Sequence, residues 1–427
     1  MRANGDMLGE CWERRDLHAL LAQRFGMFAM EELAEELERK YDDVVRLTLG
    51  KSELPVHPAI TEAMVHAVRD HKRSSLVYPV GLPALREAVA GYEGHAYGRH
   101  VDAENVVISV GTSTLLRNLC CLLAHDGGEV LLPRPYYPLY LYSAALAGAN
   151  VSFYDIDLIT GCIDFTSLRS TMSRATRVVI LNSPGNPLGN RLTMADLRLV
   201  DEAVDGRAVI VSDEIYRNIC FDEEAPSLGA LGDARSPVVV TNAFSKGFRM
   251  YARRVGYAVV PREFVHPLTT MQDHTLLTTD PVPQFGALEA LRHLDEVDAL
   301  RRLYAGRRDY AVERLSEVAT IRPIRAEGSF YLTVDVAAHL GDGETDRSLT
   351  ESILNATHVA TVPGSDFGLP GTIRLSYSAS QFEAAIDRLA TYFEGGSAPS
   401  RSGAVAVAGP TSYGRWHGRK GDPRAHR

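Results

Sequence analysis

Between residues 105 and 244 short unbroken runs of Val, Ile and Leu alternate with longer stretches whose apolar residues recur at helical spacing. The runs are NVVISVG (105–111), EVLLP (129–133), ANVSFYDI (149–156), RVVILNS (177–183), AVIVSDE (208–214) and PVVVTNAF (237–244). Helical spacing marks TSTLLRNLCCLLAHD (112–126), a segment near 137–147 and TMADLRLVDEAV (193–204). A strand that is apolar at successive positions is buried on both faces, and helices between such strands imply parallel connections. This part of the chain is therefore expected to form an α/β fold with a doubly wound, mostly parallel sheet flanked by helices.

The flanks differ. Residues 13–48 read as helix followed by a short strand ending at the Gly50 turn, and 57–71 and 83–97 carry helical periodicity. Residues 283–319 read as one or two long helices, followed by strand 329–336, a helix near 347–356, strand 372–378 and helix 380–394. A chain of 427 residues exceeds what one hydrophobic core usually fills, so a second, smaller α+β domain is expected. The expected division is an arm at 1–48 joining the small domain, a large domain at 49–290, the small domain at 291–395 and a flexible tail at 396–427. From GGSAPSRSG (395–403) onward the sequence has few apolar residues, and its basic end reads as a solvated tail.

A net charge of -9 and a pI near 5.9 argue against nucleic-acid or membrane-surface partners. Five cysteines without C-x-x-C spacing suit reduced thiols rather than a disulfide framework or a metal site. The first residues mix both signs of charge without an apolar core, and no run of eighteen apolar residues occurs. A cytoplasmic enzyme is the expectation.

Three segments carry chemistry: VVVTNAFSKGFRMYARRVGYAV (238–259), NSPGNPLG (182–189) and VSDEIY (211–216). Each has an ordinary reading: a surface lysine after a strand, a turn asparagine before proline, an aspartate capping a helix. Their joint order resembles the class I/II aminotransferases, fold type I, of the aspartate aminotransferase superfamily. The resemblance covers roughly residues 45 to 392. It implies a fold-type I transferase using pyridoxal 5'-phosphate (PLP), carried by Lys246 as a Schiff base. By the same resemblance Asp213 pairs with the pyridine nitrogen, Asn186 and Tyr216 serve the phenolic oxygen, Arg254 clamps the phosphate, and Ser245 is among the cofactor-binding residues. SVGTSTLL (109–116) adds Gly111, Thr112 and Ser113 at a strand-to-helix junction, where a helix N-terminus attracts a dianion.

PRPYYPLY (133–140) resembles the segment whose second aromatic, here Tyr137, stacks on the ring; a core aromatic is the alternative. LVYPVGLPALREAV (76–89) resembles the element whose tyrosine, here Tyr78, reaches the phosphate of a neighbouring subunit, implying a homodimer. TIRLSYS (372–378), with EGSFYL (327–332) before it, nominates Arg374 for the substrate α-carboxylate, a role suited to its planar fork. Gly50 and Lys51 stand at the expected substrate entrance. The substrates implied are an amino acid and a 2-oxo acid.

Departures from the family pattern are Ala243 where serine or threonine is usual, Lys51 in the Gly50 turn, and TTDPVPQ (278–284) without arginine. Asp280 is the one charge in that last segment: either it helps define a pocket that does not select aspartate or glutamate, or it caps a turn. The same residues also suit a lyase, replacement enzyme or cyclase, which is the alternative expectation. A PLP-binding transcription regulator would need a DNA-binding module, for which some forty-five residues before Gly50 are too few.

Overall fold

The six apolar runs read from the sequence all form strands, and a seventh strand joins them. In the computed structural model, residues 26–395 are described. The expected flexible tail and the first twenty-five residues of the expected arm lie outside them. A short strand β1 (Val45–Arg46) is followed by β2 (Val106–Ser109), β3 (Glu129–Arg134), β4 (Asn150–Asp155), β5 (Thr176–Asn182), β6 (Val209–Asp213), β7 (Val238–Ala243) and β8 (Gly256–Val259). β2 to β8 form a seven-stranded sheet in the order β2-β8-β7-β6-β5-β3-β4. Only β8 runs against its neighbours, β2 and β7. Successive side chains enter different cores: Val178 and Ile180 pack with Leu115 and Leu119, whereas Val179 and Leu181 pack with Leu197 and Val200. That two-sided burial is why the strands lack polar alternation.

The remaining strands are β9 (Arg322–Ile324), β10 (Tyr331–Asp335), β11 (Val359–Ala360), β12 (Val362–Pro363) and β13 (Thr372–Ser376). Four of them form an antiparallel sheet in the order β12-β13-β10-β9, while β1 pairs in parallel with β11. Leu47, Leu332, Leu375 and Phe382 share a core with residues of the helix Leu294–Ser316.

One expectation is corrected. The helix expected over 13–48 ends at Glu38, because residues 39–48 turn and then extend as β1 beside β11. The pattern at 283–319, read as one or two helices, is two, Pro281–Ala290 and Leu294–Ser316. β8 and the helix Arg262–Leu276 carried no clear signal: the former is four residues long, and the latter holds Pro267 inside it.

Candidate active site

In an open parallel sheet the carboxyl ends of the strands, where helix N-termini also gather, form the natural crevice for ligands. Asn182 and Asp213 close β5 and β6, Ser245 and Lys246 follow β7, and Thr112 and Ser113 open the helix Gly111–Leu123 after β2. Together with Tyr137, Tyr216, Tyr251 and Arg254 they line one cavity of about 330 Å³, within the usual range for small-molecule sites. The antiparallel sheet contributes Tyr331 and Arg374, and Met27, Leu49 and Gly50 complete the wall.

Lys246 donates to the Gly50 carbonyl at 2.8 Å, and its amine lies 5.1 to 5.5 Å from the ring centres of Phe330, Tyr251 and Tyr216. Burial, then the charges of Arg374 and Arg254, pull this amine down to about 7. A Cβ at Gly50 would stand 2.8 Å from that amine and collide with the Tyr331 hydroxyl, so glycine is required where the chain passes the lysine.

Asp213 is the last residue of β6 and a turn, not a helix, follows it, so the capping alternative does not apply. Its carboxylate accepts from the Tyr140 hydroxyl at 2.8 Å and, more weakly, from Thr241 at 3.5 Å. Burial pushes this carboxyl up to about 6, against the Tyr140 hydrogen bond. The buried Tyr216 hydroxyl meets that of Tyr331 at 3.3 Å.

Arg374 is 1% exposed on the central strand β13, and no carboxylate pairs with it among the described residues. It donates to the Asn186 side chain at 3.1 Å and to the Thr48 carbonyl, and lies 4.1 Å over the Tyr331 ring. Its Nε has no partner among the described residues. Burying a guanidinium without a counter-anion is costly, so the arrangement favours an incoming carboxylate.

Arg254 bonds only neutral oxygens in the described residues, the Tyr251 carbonyl at 3.1 Å and Ser245 at 3.5 Å. The helix Gly111–Leu123 beside it has no side-chain cap, which leaves its first amides available to an anion. A Cβ at Gly111, which has φ +73, would stand 2.6 Å from the Arg254 guanidinium, and one at Gly256 would stand 2.9 Å from the Thr112 amide. These glycines let a cation and a helix N-terminus share one corner.

Not every expected residue lines the cavity. Gly111 and Asn186 are not in its wall; Asn186 lines a separate small cavity and is bonded by Arg374, and its amide nitrogen is buried without a partner in the described residues. Lys51 is exposed and does not line the wall. Tyr78 is 38% exposed and outside the cavity of its own chain. Asp280 caps the helix Pro281–Ala290 by accepting from the Val282 amide at 2.9 Å, which is the turn-capping alternative. Sequence reasoning assigned no role to Tyr140, Tyr331, Tyr251 or Met27. Tyr140 and Tyr331 stood inside the quoted segments PRPYYPLY and EGSFYL; Met27 had no signal.

The model of the family "aminotransferase class I and II" matches residues 42–393. The chain belongs to the class I and II aminotransferases. A probable aspartate/prephenate aminotransferase of Aquifex aeolicus is 30% identical over 82% of this chain and 90% of its own length. The aspartate aminotransferase of Geobacillus stearothermophilus is 29% identical over 86% and 95%. Among solved structures, aspartate aminotransferase from Thermus thermophilus with maleate superimposes with a TM-score of 0.81, at 27% identity, over 92% of this chain and 100% of that one. In these relatives the named reaction is amino transfer, not elimination or cyclisation. The aminotransferase is thus a PLP enzyme of fold type I that moves an amino group between an amino acid and an oxo acid. Its cavity fits that cofactor: a low-affinity-for-protons lysine for the aldehyde, a buried carboxylate, an orphaned asparagine amide, and a cation beside an uncapped helix.

Proposed function

We propose that Lys246 is the lysine to which PLP is joined and that Asp213, Asn186, Tyr216, Ser245, Arg254, Gly111, Thr112, Ser113 and Tyr137 hold the cofactor. The convergence of Lys246, Asp213, Arg254 and Arg374 on a single cavity carries this reading. When bound, PLP supplies an aldehyde that links to amines and a ring that accepts the electron pair released at Cα. Asp213, raised by burial when alone, is restored to its ionised form by a cationic partner. Asn186 and Tyr216 can donate to the phenolic oxygen, and Arg254 with the first amides of the helix Gly111–Leu123 can hold the phosphate.

The α-carboxylate of the amino acid binds Arg374 and supplies its missing counter-charge. Lys246, with an affinity for protons near neutrality, takes the Cα proton on Nζ and returns it. The oxo-acid half-reaction uses the same two groups in reverse. The wall also includes Met27, Leu49, Ile215, Tyr251 and Tyr331 and, among the described residues, no cation besides Lys246, Arg254 and Arg374, which suits a neutral side chain, apolar or aromatic. The donor is accordingly a neutral amino acid, although the relatives are named for aspartate. Half-reactions with phenylalanine, methionine, arginine and aspartate test this: kcat/KM is expected to favour the neutral donors, and a clear preference for aspartate refutes it.

We further propose a cytoplasmic homodimer in which Tyr78 reaches the partner's phosphate site. Its exposure together with that of Val77 and Val68, 60% and 61% exposed, supports such a face. The division into a large domain (49–290) and a small one (291–395), with the N-terminal segment on the small one, is supported by the separate sheets and the β1–β11 pairing.

A further inference from the structure

We infer that Arg249 and Glu296 are positioning residues that fix the loop carrying Lys246 against the first turn of the helix Leu294–Ser316. The inference rests on Lys246 being the cofactor lysine.

Arg249 stands three residues after Lys246 and has φ +59, a left-handed conformation that a long side chain adopts at a cost and glycine adopts freely. Nothing local demands an arginine there; its amide merely closes the loop on the Lys246 carbonyl at 3.2 Å. What holds it is distant in sequence. Its guanidinium pairs with the Glu296 carboxylate, and the Arg249 side chain is only 9% exposed. An unfavourable backbone conformation persists when the surroundings over-determine it, and such sites cluster where positioning matters.

A second contact comes from the same helical turn. Val297 faces the residue after the lysine: a Cβ at Gly247 would lie in ordinary van der Waals contact with it, at 3.4 Å. Val297 shares a core with Phe244, Phe248 and Met250 of the lysine loop. One helical turn therefore grips the loop twice, by apolar packing at Gly247 and by an ion pair at Arg249. The loop's other free end, the Lys246 amine, is left with the Gly50 carbonyl as its hydrogen-bond partner among the described residues. The charged and titratable groups facing that amine are Arg374, Arg254, Asp213, Tyr216 and Tyr251. Arg249 itself faces Glu296 and, further off, Tyr304.

The test is the pH dependence of PLP capture by the full-length apoprotein, followed as growth of the yellow absorbance, in the wild type, R249G, E296Q and the double variant. Glycine suits φ +59, so R249G keeps the fold and decides the matter even if E296Q does not fold. The wild-type midpoint is expected near 7. Releasing the loop gives the amine access to water, so the midpoint should rise by about one pH unit in each single variant. The double variant should match R249G, since Glu296 acts through Arg249. In the holoenzymes kcat should fall about tenfold while KM for the donor stays, because Arg374 is untouched. An unchanged midpoint in R249G overturns the inference, whatever kcat does. The reading of Lys246 fails separately, if K246A apoprotein still forms an imine with PLP that borohydride fixes to the protein.

Discussion

At the scale of single residues, the site works by holding groups away from their ordinary proton affinities. Lys246 is lowered to about 7 and Asp213 raised to about 6, both chiefly by burial. The signs differ and so do their consequences. A lysine lowered in the folded state adds stability that is lost as pH falls from about 10 toward 7. An aspartate raised in the folded state adds stability that is lost as pH rises from about 4 through 6. Thermal melting of the apoprotein across pH should show both limbs, with K246M flattening the upper and D213N the lower. Because a protonated amine cannot accept the Cα proton, the first half-reaction should accelerate as pH rises through about 7. D213N, which removes the charge opposite the ring, should lower kcat by about a hundredfold or more. R374K keeps the charge but loses the fork; KM for both amino and oxo acid should rise about tenfold with a smaller change in kcat. Lys246, Asp213, Arg254 and Arg374 were legible because each stands in a chemically distinctive segment. Tyr140 was not, because a tyrosine three residues after another reads as core until its hydroxyl is seen on Asp213.

At the scale of elements, the strands were legible and the helix limits less so. Runs such as RVVILNS can only be buried on both faces, and β5 uses alternate residues in two cores. The position of the break between Ala290 and Leu294 was not fixed, because apolar periodicity continues across it. Equally hidden was the contact of β8 with the helix Gly111–Leu123, since it depends on two glycines 145 positions apart (256 minus 111). Gly256→Ala would press a methyl group onto the Thr112 amide. The variant should bind PLP at least about tenfold more weakly while KM for the donor in the saturated enzyme is preserved. Equilibrium dialysis against PLP measures the first quantity and steady-state kinetics the second.

At the scale of the whole molecule, one sheet supplies the lysine, the aspartate and the helix N-terminus, and the other supplies the arginine for the carboxylate. Catalysis therefore depends on the two sheets keeping their register. The same logic extends across subunits in the proposed homodimer. Sedimentation should show a dimer, and Y78F should weaken PLP binding about tenfold without dissociating it, as loss of one charge-assisted hydrogen bond predicts. Everything nevertheless converges on one atom, Lys246 Nζ. The chain has five lysines, so the site of attachment can be read directly. Borohydride reduction of the PLP-loaded protein, followed by digestion and mass spectrometry, should place the pyridoxyl group on the peptide containing Lys246. A pyridoxyl group on Lys40, Lys51, Lys72 or Lys420 instead, or on no lysine, would contradict the account.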